Sequence, residues 1–423
     1  MKKETKKKET KKAKDSESAI PVQPSVNIGL VGHVDHGKTT LTEKLSGKWT
    51  DQHSEELKRG ITIRLGYADS TFYRCKKCKK YSARPKCECG GETIPIRKVS
   101  FVDAPGHETL MATMLCGSTI MDGALLLVAA NEDCPQPQTR EHLMALQIAG
   151  IKKVVIIQNK IDLVSEEQAM ENFKQLKAFL KGTDFEKSPV IPISALHNVN
   201  VDKVIEAIEE VIKTPERNPN ADPIMFIARS FDINKPGSDP INVKGGVLGG
   251  SLKQGSIKVG DTIEIRPGRK VMKANKIVCE PLQTEITGLM TGGKPVDNIS
   301  PGGSVALMTQ LDPGIVGADS LAGSVVGKPG TLPEIWYELV IEAHLLDRVV
   351  GAKDDLVVKP LAENEVLMLN VNSAATVGVI TDLQKKKATL RLKLPVCAEK
   401  NSKVTISRNL GNRWRLIGYG LIK

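Results

Sequence analysis

The segment from Gly32 to Thr39 constrains this chain more strongly than any other part of its sequence. It reads Gly-His-Val-Asp-His-Gly-Lys-Thr, which matches the phosphate-loop pattern G-x-x-x-x-G-K-[ST]. An apolar run, Val26–Val31, precedes it, and a helical pattern, Lys38–Leu45, follows it. In this context glycines let backbone N–H groups curl around phosphates, and the start of the helix adds positive potential. The segment therefore predicts a phosphate-binding loop between a buried strand and a helix.

Farther along the chain, short apolar runs alternate with helical stretches up to about residue 213. Strands that alternate with helices indicate βαβ units and a largely parallel, doubly wound sheet. The additional predicted strands are Val99–Val102, Ala124–Ala130, Val154–Gln158 and Val190–Ile193, and the additional predicted helices are Gln138–Gly150, Glu166–Lys181 and Val201–Lys213.

Proline and glycine mark changes of structure beyond this region. Pro215, Pro219 and Pro223 have the composition of a linker, and a second break lies between Gly327 and Pro333. After the linker the helical period disappears and glycines separate short β-rich runs, which is typical of a barrel or a sandwich. The predicted bounds are residues 1–25 for a disordered lysine-rich tail, 26–217 for the nucleotide-binding domain, and 222–327 and 333–423 for two β domains.

The charge of the chain is unevenly distributed. The formal net charge is +11, and residues 1–18 hold eight lysines against four acidic residues. Such a tail cannot bury enough apolar surface to fold, so a solvated segment is one interpretation; a basic balance of this size also fits a nucleic-acid partner. No apolar run approaches the roughly 20 residues of a membrane span, and no apolar core follows the N-terminal lysines. We therefore expect a cytoplasmic protein without a membrane partner.

Side chains of the loop and of one later segment suit a magnesium nucleotide. Lys38 can reach the β- and γ-phosphates, and the Thr39 hydroxyl can bind Mg²⁺. Asp103 follows a predicted strand and begins Asp-Ala-Pro-Gly, so its carboxylate suits a water-mediated contact to Mg²⁺. Gly106 leaves its N–H free to approach a γ-phosphate. The other loop residues expected around the nucleotide are Asp35, His36, Gly37 and Thr40.

A second set of residues indicates guanine as the base. Asn159-Lys160-Ile161-Asp162 follows the predicted strand Val154–Gln158. The Asp162 carboxylate can accept hydrogen bonds from N1–H and the N2 amine of guanine, and adenine lacks this donor pair. Asn159 and Lys160 would brace the loop and cover the base. The pocket is completed by Ser194, Ala195 and Leu196.

Four cysteines lie close together in the sequence, as Cys75-x-x-Cys78 and Cys87-x-Cys89. In a chain without secretory features this grouping favours a structural Zn²⁺ site with four thiolate ligands, a knuckle over residues 74–91. The second pair has only one intervening residue, so surface cysteines without metal are the alternative. Nine basic and two acidic residues lie between Arg74 and Lys98. This excess can offset the thiolate charge or contact RNA.

These motifs, in this order, resemble the translational GTPase family. The loop form Gly-His-Val-Asp-His-Gly-Lys-Thr-Thr and a histidine directly after Asp-Ala-Pro-Gly support the resemblance. In that family the corresponding histidine orients the attacking water, which implies that His107 is catalytic, together with Lys38 and Thr62. Thr62 matches the threonine of the first switch, which binds Mg²⁺ in the GTP form. Asp35 and Gly60 match a second Mg²⁺ site of one branch of the family.

Several longer stretches narrow the resemblance: Ser54–Gly60, Asn131–His142, Arg229–Gly237, Arg348–Lys353 and Arg413–Gly418. Together with the cysteines they are similar to the gamma-subunit family of archaeal and eukaryotic translation initiation factor 2. The resemblance implies an α/β phosphate-loop GTPase domain with a zinc knuckle, followed by two β-barrel domains. It also implies that the GTP form carries methionylated initiator tRNA to the small ribosomal subunit and releases it after hydrolysis to GDP. The implied assembly is a heterotrimer, with the alpha subunit on the second domain and the beta subunit on the GTPase domain.

Other functions are compatible with parts of this pattern. The alternatives are an elongation-type or selenocysteine-specific carrier of aminoacyl-tRNA, and a scaffold that binds GTP without hydrolysing it. The cysteine group argues against an elongation-type carrier, and Thr62 and His107 argue against the scaffold. Tyr67 suits either stacking on the terminal adenosine of a tRNA or a half-buried position in a strand.

Overall fold

The computed structural model describes residues 21–51, 56, 62–107, 110–235, 237, 239, 241, 243–273, 276–350, 356–411 and 413–423. Gly60 and residues 1–20 of the predicted lysine-rich tail lie outside the described residues. No helix within the described ranges is long and apolar enough to cross a membrane.

The first domain contains a seven-stranded sheet in the order β3-β2-β4-β1-β5-β6-β7. Strands β4, β1, β5, β6 and β7 are parallel, and β2 and β3 extend one edge antiparallel. The central strands are apolar and completely buried because helices cover both faces. The strands are β1 Asn27–Gly32, β2 Gly66–Cys75, β3 Tyr81–Ser82, β4 Thr93–Asp103, β5 Gly123–Ala129, β6 Val154–Asn159 and β7 Val190–Pro192.

In the part of the first domain that the structure describes, five helices of eight or more residues cover this sheet, and their sequences show why they form. Helix α4 begins with a capping box, in which Ser165 and Gln168 each bind the other's backbone N–H. Helix α5 carries an apolar stripe, with Val204, Ile205 and Ile208 buried against the sheet. The helices are α1 Lys38–Ser46, α2 Met111–Ser118, α3 Pro137–Ile148, α4 Glu166–Leu180 and α5 Val201–Val211.

The second domain is a closed barrel of six strands in the order β11-β16-β8-β9-β15-β12, with β12 paired back to β11. Its core includes Ile227, Leu248 and Leu307, which point inward from three different strands. Strand β13 extends β12, β10 pairs with β14, and a short helix, α6 Pro313–Val316, follows β15. The strands are β8 Ile224–Phe231, β9 Val247–Gln254, β10 Ile257–Lys258, β11 Thr262–Lys273, β12 Lys276–Thr291, β13 Lys294–Val296, β14 Asn298–Ile299, β15 Val305–Thr309 and β16 Val325–Gly327.

The third domain is a second closed barrel of six strands, in the order β17-β20-β19-β18-β21-β22. Alternate residues of its strands point inward, as Leu367, Leu369 and Val371 show. The predicted architecture of a GTPase domain followed by two β-barrels is therefore confirmed. The strands are β17 Ile335–Leu345, β18 Val366–Val371, β19 Ala374–Gln384, β20 Lys387–Cys397, β21 Lys403–Leu410 and β22 Arg413–Ile422.

Both barrels contact the first domain through polar side chains. The Asn27 amide donates to Ser251 of β9 at 3.0 Å, and Thr119, after α2, donates to the Asn372 carbonyl at 2.9 Å. Strand β22 supplies Arg415, whose guanidinium bonds Glu141 of α3 at 2.7 Å. The phosphate loop therefore lies in a domain that contacts both barrels.

Candidate nucleotide and metal sites

The phosphate loop turns at the carboxyl end of β1, where two glycines allow close backbone approach. Gly37 has φ 88°, and a Cβ there would lie 2.3 Å from Nδ2 of Asn159. A Cβ on Gly32 would lie 2.4 Å from the Leu127 carbonyl oxygen. The loop therefore packs against the ends of β5 and β6, and the next residue, Lys38, begins α1. This is the geometry in which a helix N-terminus faces an anion.

Lys38 is buried at the centre of this loop. Its ammonium donates to the carbonyl oxygens of Gly32 at 3.0 Å and His33 at 2.7 Å. Burial lowers the pKa of Lys38 to about 8, although Asp103, Asp35 and Asp51 act in the opposite direction. Phosphate oxygens would supply the negative charge that this buried cation lacks. Lys38 is therefore positioned to bind an anion.

The oxygen atoms predicted to bind Mg²⁺ converge next to Lys38. The hydroxyls of Thr39 and Thr50 donate to Oδ2 of Asp103 at 2.8 and 2.6 Å, and the Thr62 hydroxyl lies 3.2 Å from that of Thr39. Among the described residues Oδ1 of Asp103 has no hydrogen-bond partner, and burial raises the pKa of Asp103 to about 6. A buried carboxylate with a free oxygen, beside two hydroxyls, fits the hard oxygen ligands that Mg²⁺ requires.

Asp51 is a further candidate for this Mg²⁺ site that the sequence analysis missed. It is buried close to Thr39 and Thr62, and among the described residues its Oδ1 has no hydrogen-bond partner. Burial raises the pKa of Asp51, while a hydrogen bond with Thr62 acts against this. Asp51 belongs to no motif, because it follows α1 in an irregular segment, so only the structure identifies it.

The loop residues Asp35, His36 and Thr40 have different environments. Asp35 is exposed, with φ 60°, and Thr40 is half-buried in the first turn of α1. His36 is buried, and its ring nitrogens lie 2.9 Å from the Leu127 carbonyl and 3.3 Å from Glu132. Burial lowers the pKa of His36 to about 4, so the ring is neutral near pH 7 and braces the loop against β5. A second Mg²⁺ site at Asp35 and Gly60 stays a prediction, and Gly60 lies outside the described residues.

His107 directly follows the glycine that approaches the phosphate site. A Cβ on Gly106 would lie 2.4 Å from Nζ of Lys38, so only glycine fits there. His107 is half-buried and borders a cavity of about 890 Å³ that His33, Asp35 and Arg413 also line. The histidine therefore lies next to the phosphate loop, at a cavity that extends from this loop to the third domain.

The base-binding residues come together at the ends of β6 and β7. The Asn159 amide donates to the His36 carbonyl at 2.9 Å, and its oxygen accepts the Ala195 N–H at 3.0 Å. A hydrogen bond from Ser194 lowers the pKa of Asp162, so this carboxylate is ionised at neutral pH. Lys160 adopts φ 64°, and Leu196 is 65% exposed. The residues predicted to bind guanine thus lie close together, and Asn159 connects them to the phosphate loop.

The four cysteines form one compact cluster at the far end of β2. Their sulfurs all lie within 4.8 Å of one another, and Cys75 is 3.5 Å from Cys89 while Cys78 is 3.4 Å from Cys87. Zinc–sulfur bonds of about 2.3 Å require sulfurs roughly 3.8 Å apart, so the spacing fits tetrahedral Zn²⁺.

The backbone around the cluster also suits thiolates. Hydrogen bonds from the backbone of Cys78 and then Lys77 lower the pKa of Cys75 to about 6. A Cβ on Gly91 would lie 2.8 Å from the sulfur of Cys75, so this position has no room for a side chain. The arrangement is compatible with a zinc knuckle in which only one residue separates the second cysteine pair.

Comparison with known proteins identifies the family. The family model described as Elongation factor Tu GTP binding domain matches residues 23–214, and the one described as Initiation factor eIF2 gamma, C terminal, matches residues 337–422. Translation initiation factor 2 subunit gamma of Methanocaldococcus jannaschii is 58% identical over 402 residues, which are 95% of this chain and 98% of that protein. The same subunit of Pyrococcus horikoshii is 57% identical over the same share of both chains. The chain belongs to the gamma-subunit family of translation initiation factor 2.

Membership of this family makes the chain a translation initiation GTPase that binds GTP and GDP. The predicted resemblance is thus confirmed, and the elongation-type alternatives are not favoured. The motifs predicted the phosphate-loop, base and cysteine residues, and their roles stay predictions. They did not indicate Asp51, Thr50 or a histidine of α3, His142, whose Nδ1 accepts the Gly32 N–H at 2.7 Å. His142 lies within the stretch 131–142 that supported the resemblance, but no sequence pattern indicates that it contacts the loop.

Solved structures with the same fold come from more distant proteins. A bacterial selenocysteine-specific elongation factor, EF-Sec, aligns with a TM-score of 0.71 at 24% identity, over 94% of this chain and 58% of that chain. Translation elongation factor SelB from Methanococcus maripaludis, in complex with the GTP analogue GppNHp, aligns with a TM-score of 0.70 at 22% identity, over 95% and 79% of the two chains. At this identity the likeness shows the shared fold alone.

Proposed function

We propose that the GTP form of this chain carries methionylated initiator tRNA to the small ribosomal subunit, and that hydrolysis to GDP releases it. The proposal rests on the family of the chain, which is shown by sequence identity to a family member over 95% of its length. We further propose a heterotrimer in the cytoplasm, with the alpha subunit on the second domain and the beta subunit on the GTPase domain, as the resemblance implies. The domain bounds 26–217, 222–327 and 333–423 also stay predictions.

A cavity between the GTPase domain and the second domain supports the carrier function. Its volume is about 560 Å³, and its lining includes Tyr67, Arg229, Phe231 and Met290. Burial raises the pKa of the Tyr67 phenol, so this group stays neutral and can donate a hydrogen bond. Apolar side chains together with an arginine suit the aminoacylated end of a tRNA, which combines an apolar methionine with a base and a phosphate.

The segment that follows Thr62 connects this cavity to the nucleotide. Glu56 accepts the N–H groups of Ile63 and Arg64 at 3.1 and 3.0 Å, and the Arg64 guanidinium bonds Asp319 of the second domain at 3.3 Å. Arg64 also lines the cavity. If Thr62 binds Mg²⁺ only in the GTP form, the nucleotide controls this lining, and tRNA affinity depends on the bound nucleotide.

The proposed hydrolysis uses the pocket residues in separate roles. Asp162 selects guanine, and Lys38 stabilises charge on the phosphates. Thr39 and Thr62 would bind Mg²⁺ directly, and Asp103 and Asp51 would hold it through their free oxygens or through water. Mg²⁺, when bound, neutralises charge that develops on the phosphate oxygens. His107, which lines the cavity beside the phosphate loop, would orient the attacking water.

The test is an equilibrium titration of the chain, assembled with its alpha subunit, with initiator and elongator tRNA. We expect the complex with a non-hydrolysable GTP analogue to bind methionylated initiator tRNA about 5- to 150-fold more tightly than the GDP complex. Affinity should fall with salt because phosphate contacts release counterions. Equal affinity with both nucleotides would refute the switch, and equal affinity for both tRNA classes would favour an elongation-type carrier.

A further inference from the structure

A buried chain of polar contacts leads from the third domain to the phosphate loop through α3. At its start, Arg415 of β22 bonds Oε1 of Glu141 at 2.7 Å. Both side chains are almost completely buried, with 10% and 0% of their surfaces exposed. A buried ion pair of this kind resists separation, because removing one partner leaves the other charge uncompensated. The position of α3 therefore depends on contact with the third domain.

The next residue of α3 holds the phosphate loop itself. Nδ1 of His142 accepts the Gly32 N–H at 2.7 Å, and the Gly32 carbonyl accepts a hydrogen bond from Lys38 at 3.0 Å. Burial holds the pKa of His142 well below its usual range, so the ring is neutral and Nδ1 keeps the lone pair that this bond needs. One residue of the loop is thus held on both sides, by α3 and by the phosphate-binding lysine.

We propose that His142 is a positioning residue that couples the third domain to the nucleotide: docking of Arg415 on Glu141 sets α3, and His142 then fixes the loop and slows nucleotide release. When either contact is lost, the backbone at Gly32 is free to rotate. The Gly32 carbonyl, which accepts a hydrogen bond from Lys38, then moves. Release of GDP and GTP therefore accelerates when the third domain separates from α3.

The test measures the dissociation of fluorescent GDP from the full chain. His142→Leu removes the acceptor and leaves the Gly32 N–H unpaired, so release should accelerate about tenfold. His142→Asn can place an oxygen near the position of Nδ1, and it should restore the rate to within about threefold. A general loss of packing would not be rescued by asparagine.

The domain contact is tested at Arg415. Arg415→Gln should accelerate release about fivefold, since Glu141 loses its hydrogen bond from the guanidinium of Arg415. The matched control is Lys403→Gln, which removes a different third-domain contact to α3, the 3.2 Å bond from Lys403 to the Ile148 carbonyl. That control should change the rate less than about twofold.

The double variant His142→Leu with Arg415→Gln tests whether both residues slow nucleotide release through the same series of contacts. Arg415→Gln should add less than about twofold in the His142→Leu background, because the path is already broken. Unchanged release in folded His142→Leu, or effects that multiply, would overturn the proposal. If His142→Leu does not fold, equal release rates in Arg415→Gln and Lys403→Gln overturn it instead.

Discussion

Strand β4 connects two candidate metal sites that are built in opposite ways. It begins at Thr93, which pairs with Cys75 of the knuckle, and it ends at Asp103 in the nucleotide pocket. At about 3.3 Å per residue the two ends lie roughly 30 Å apart. The knuckle takes its ligands from one short, largely exposed segment, whereas the pocket assembles buried charges from the ends of several strands.

The two sites differ in burial, and we expect them to differ in the same way during a GTPase cycle. The charges of the buried pocket change with the bound nucleotide, whereas the ligands of the knuckle stay the same. In the pocket, burial lowers the pKa of Lys38 to about 8 and raises that of Asp103 to about 6, so both groups respond to an arriving nucleotide and metal. In the knuckle, the four sulfurs lie together as the predicted ligands of one Zn²⁺ ion, at the other end of β4 from the nucleotide pocket. We therefore expect substitutions in the pocket to change GTP chemistry, and matched substitutions in the knuckle to change it little.

The largest contrast is expected in hydrolysis. His107→Ala should slow single-turnover GTP hydrolysis on the ribosome about 10²- to 10⁴-fold, the range for loss of a positioned proton-transfer or water-orienting group. GTP binding should stay within about threefold, because the ground-state contacts come from Lys38 and the loop. Cys78→Ser in the knuckle serves as the control and should hydrolyse GTP at nearly the normal rate. An unchanged rate in His107→Ala would remove this histidine from the mechanism.

The next largest difference is expected in recognition of the guanine base. Asp162→Asn should weaken GTP binding about 10- to 100-fold, because it removes a charged acceptor for two guanine donors. It should also admit xanthosine triphosphate, whose 2-oxo group suits an amide donor. Asp184→Asn, which neutralises an exposed carboxylate after α4, controls for the change of charge. If Asp162→Asn binds GTP normally and rejects the xanthine nucleotide in competition assays, then Asp162 does not recognise the base.

Protonation of Lys38 should make the affinity of the pocket for GTP depend on pH. In the free pocket the pKa of Lys38 is lowered to about 8, and bound phosphates raise it again. GTP binding therefore takes up protons above about pH 8, and affinity falls with rising pH by up to tenfold per unit, while this group has no effect below about pH 7. Calorimetry at pH 8.5 in buffers of different ionisation enthalpy measures the uptake. Proton release on binding would contradict this assignment.

The smallest effect on GTP is expected from the knuckle. Metal-replete protein should contain about one zinc, and chelation should unfold the knuckle locally while GTP affinity changes less than about threefold. Elemental analysis and nucleotide titration before and after chelation give both values. Absence of zinc would disprove the metal site. A large loss of GTP affinity would instead show that the two ends of β4 are energetically coupled.

Many residues of the two candidate sites could be predicted because they occur in local patterns. The loop from Gly32 to Thr39, the Asn159–Asp162 motif and the cysteine pairs each follow or precede a predictable element. Contacts between distant segments leave no such pattern. The hydrogen bond of His142 to Gly32 and the ion pair of Glu141 with Arg415 join residues that are far apart in the chain, so only the packed structure identifies them.

The secondary structure shows the same difference between local patterns, which are predictable, and contacts between distant segments, which are not. Helix α1 was predicted as Lys38–Leu45 and spans Lys38–Ser46, because its glycine boundaries are local signals. Strand β4 was predicted only as Val99–Val102 but begins at Thr93. Its first half is amphipathic and carries exposed Ile94, and its pairing with β2 decides its length, which the apolar pattern does not show.

We propose that GTP hydrolysis in the pocket releases the bound tRNA. This proposal is tested most directly by following initiator tRNA release from the factor on the small ribosomal subunit, in one turnover, for the normal chain and for His107→Ala. We predict that tRNA release follows phosphate formation in the normal chain. In the variant, tRNA release should be delayed by the same factor as GTP hydrolysis. Release at the normal rate from His107→Ala that still holds GTP would contradict it.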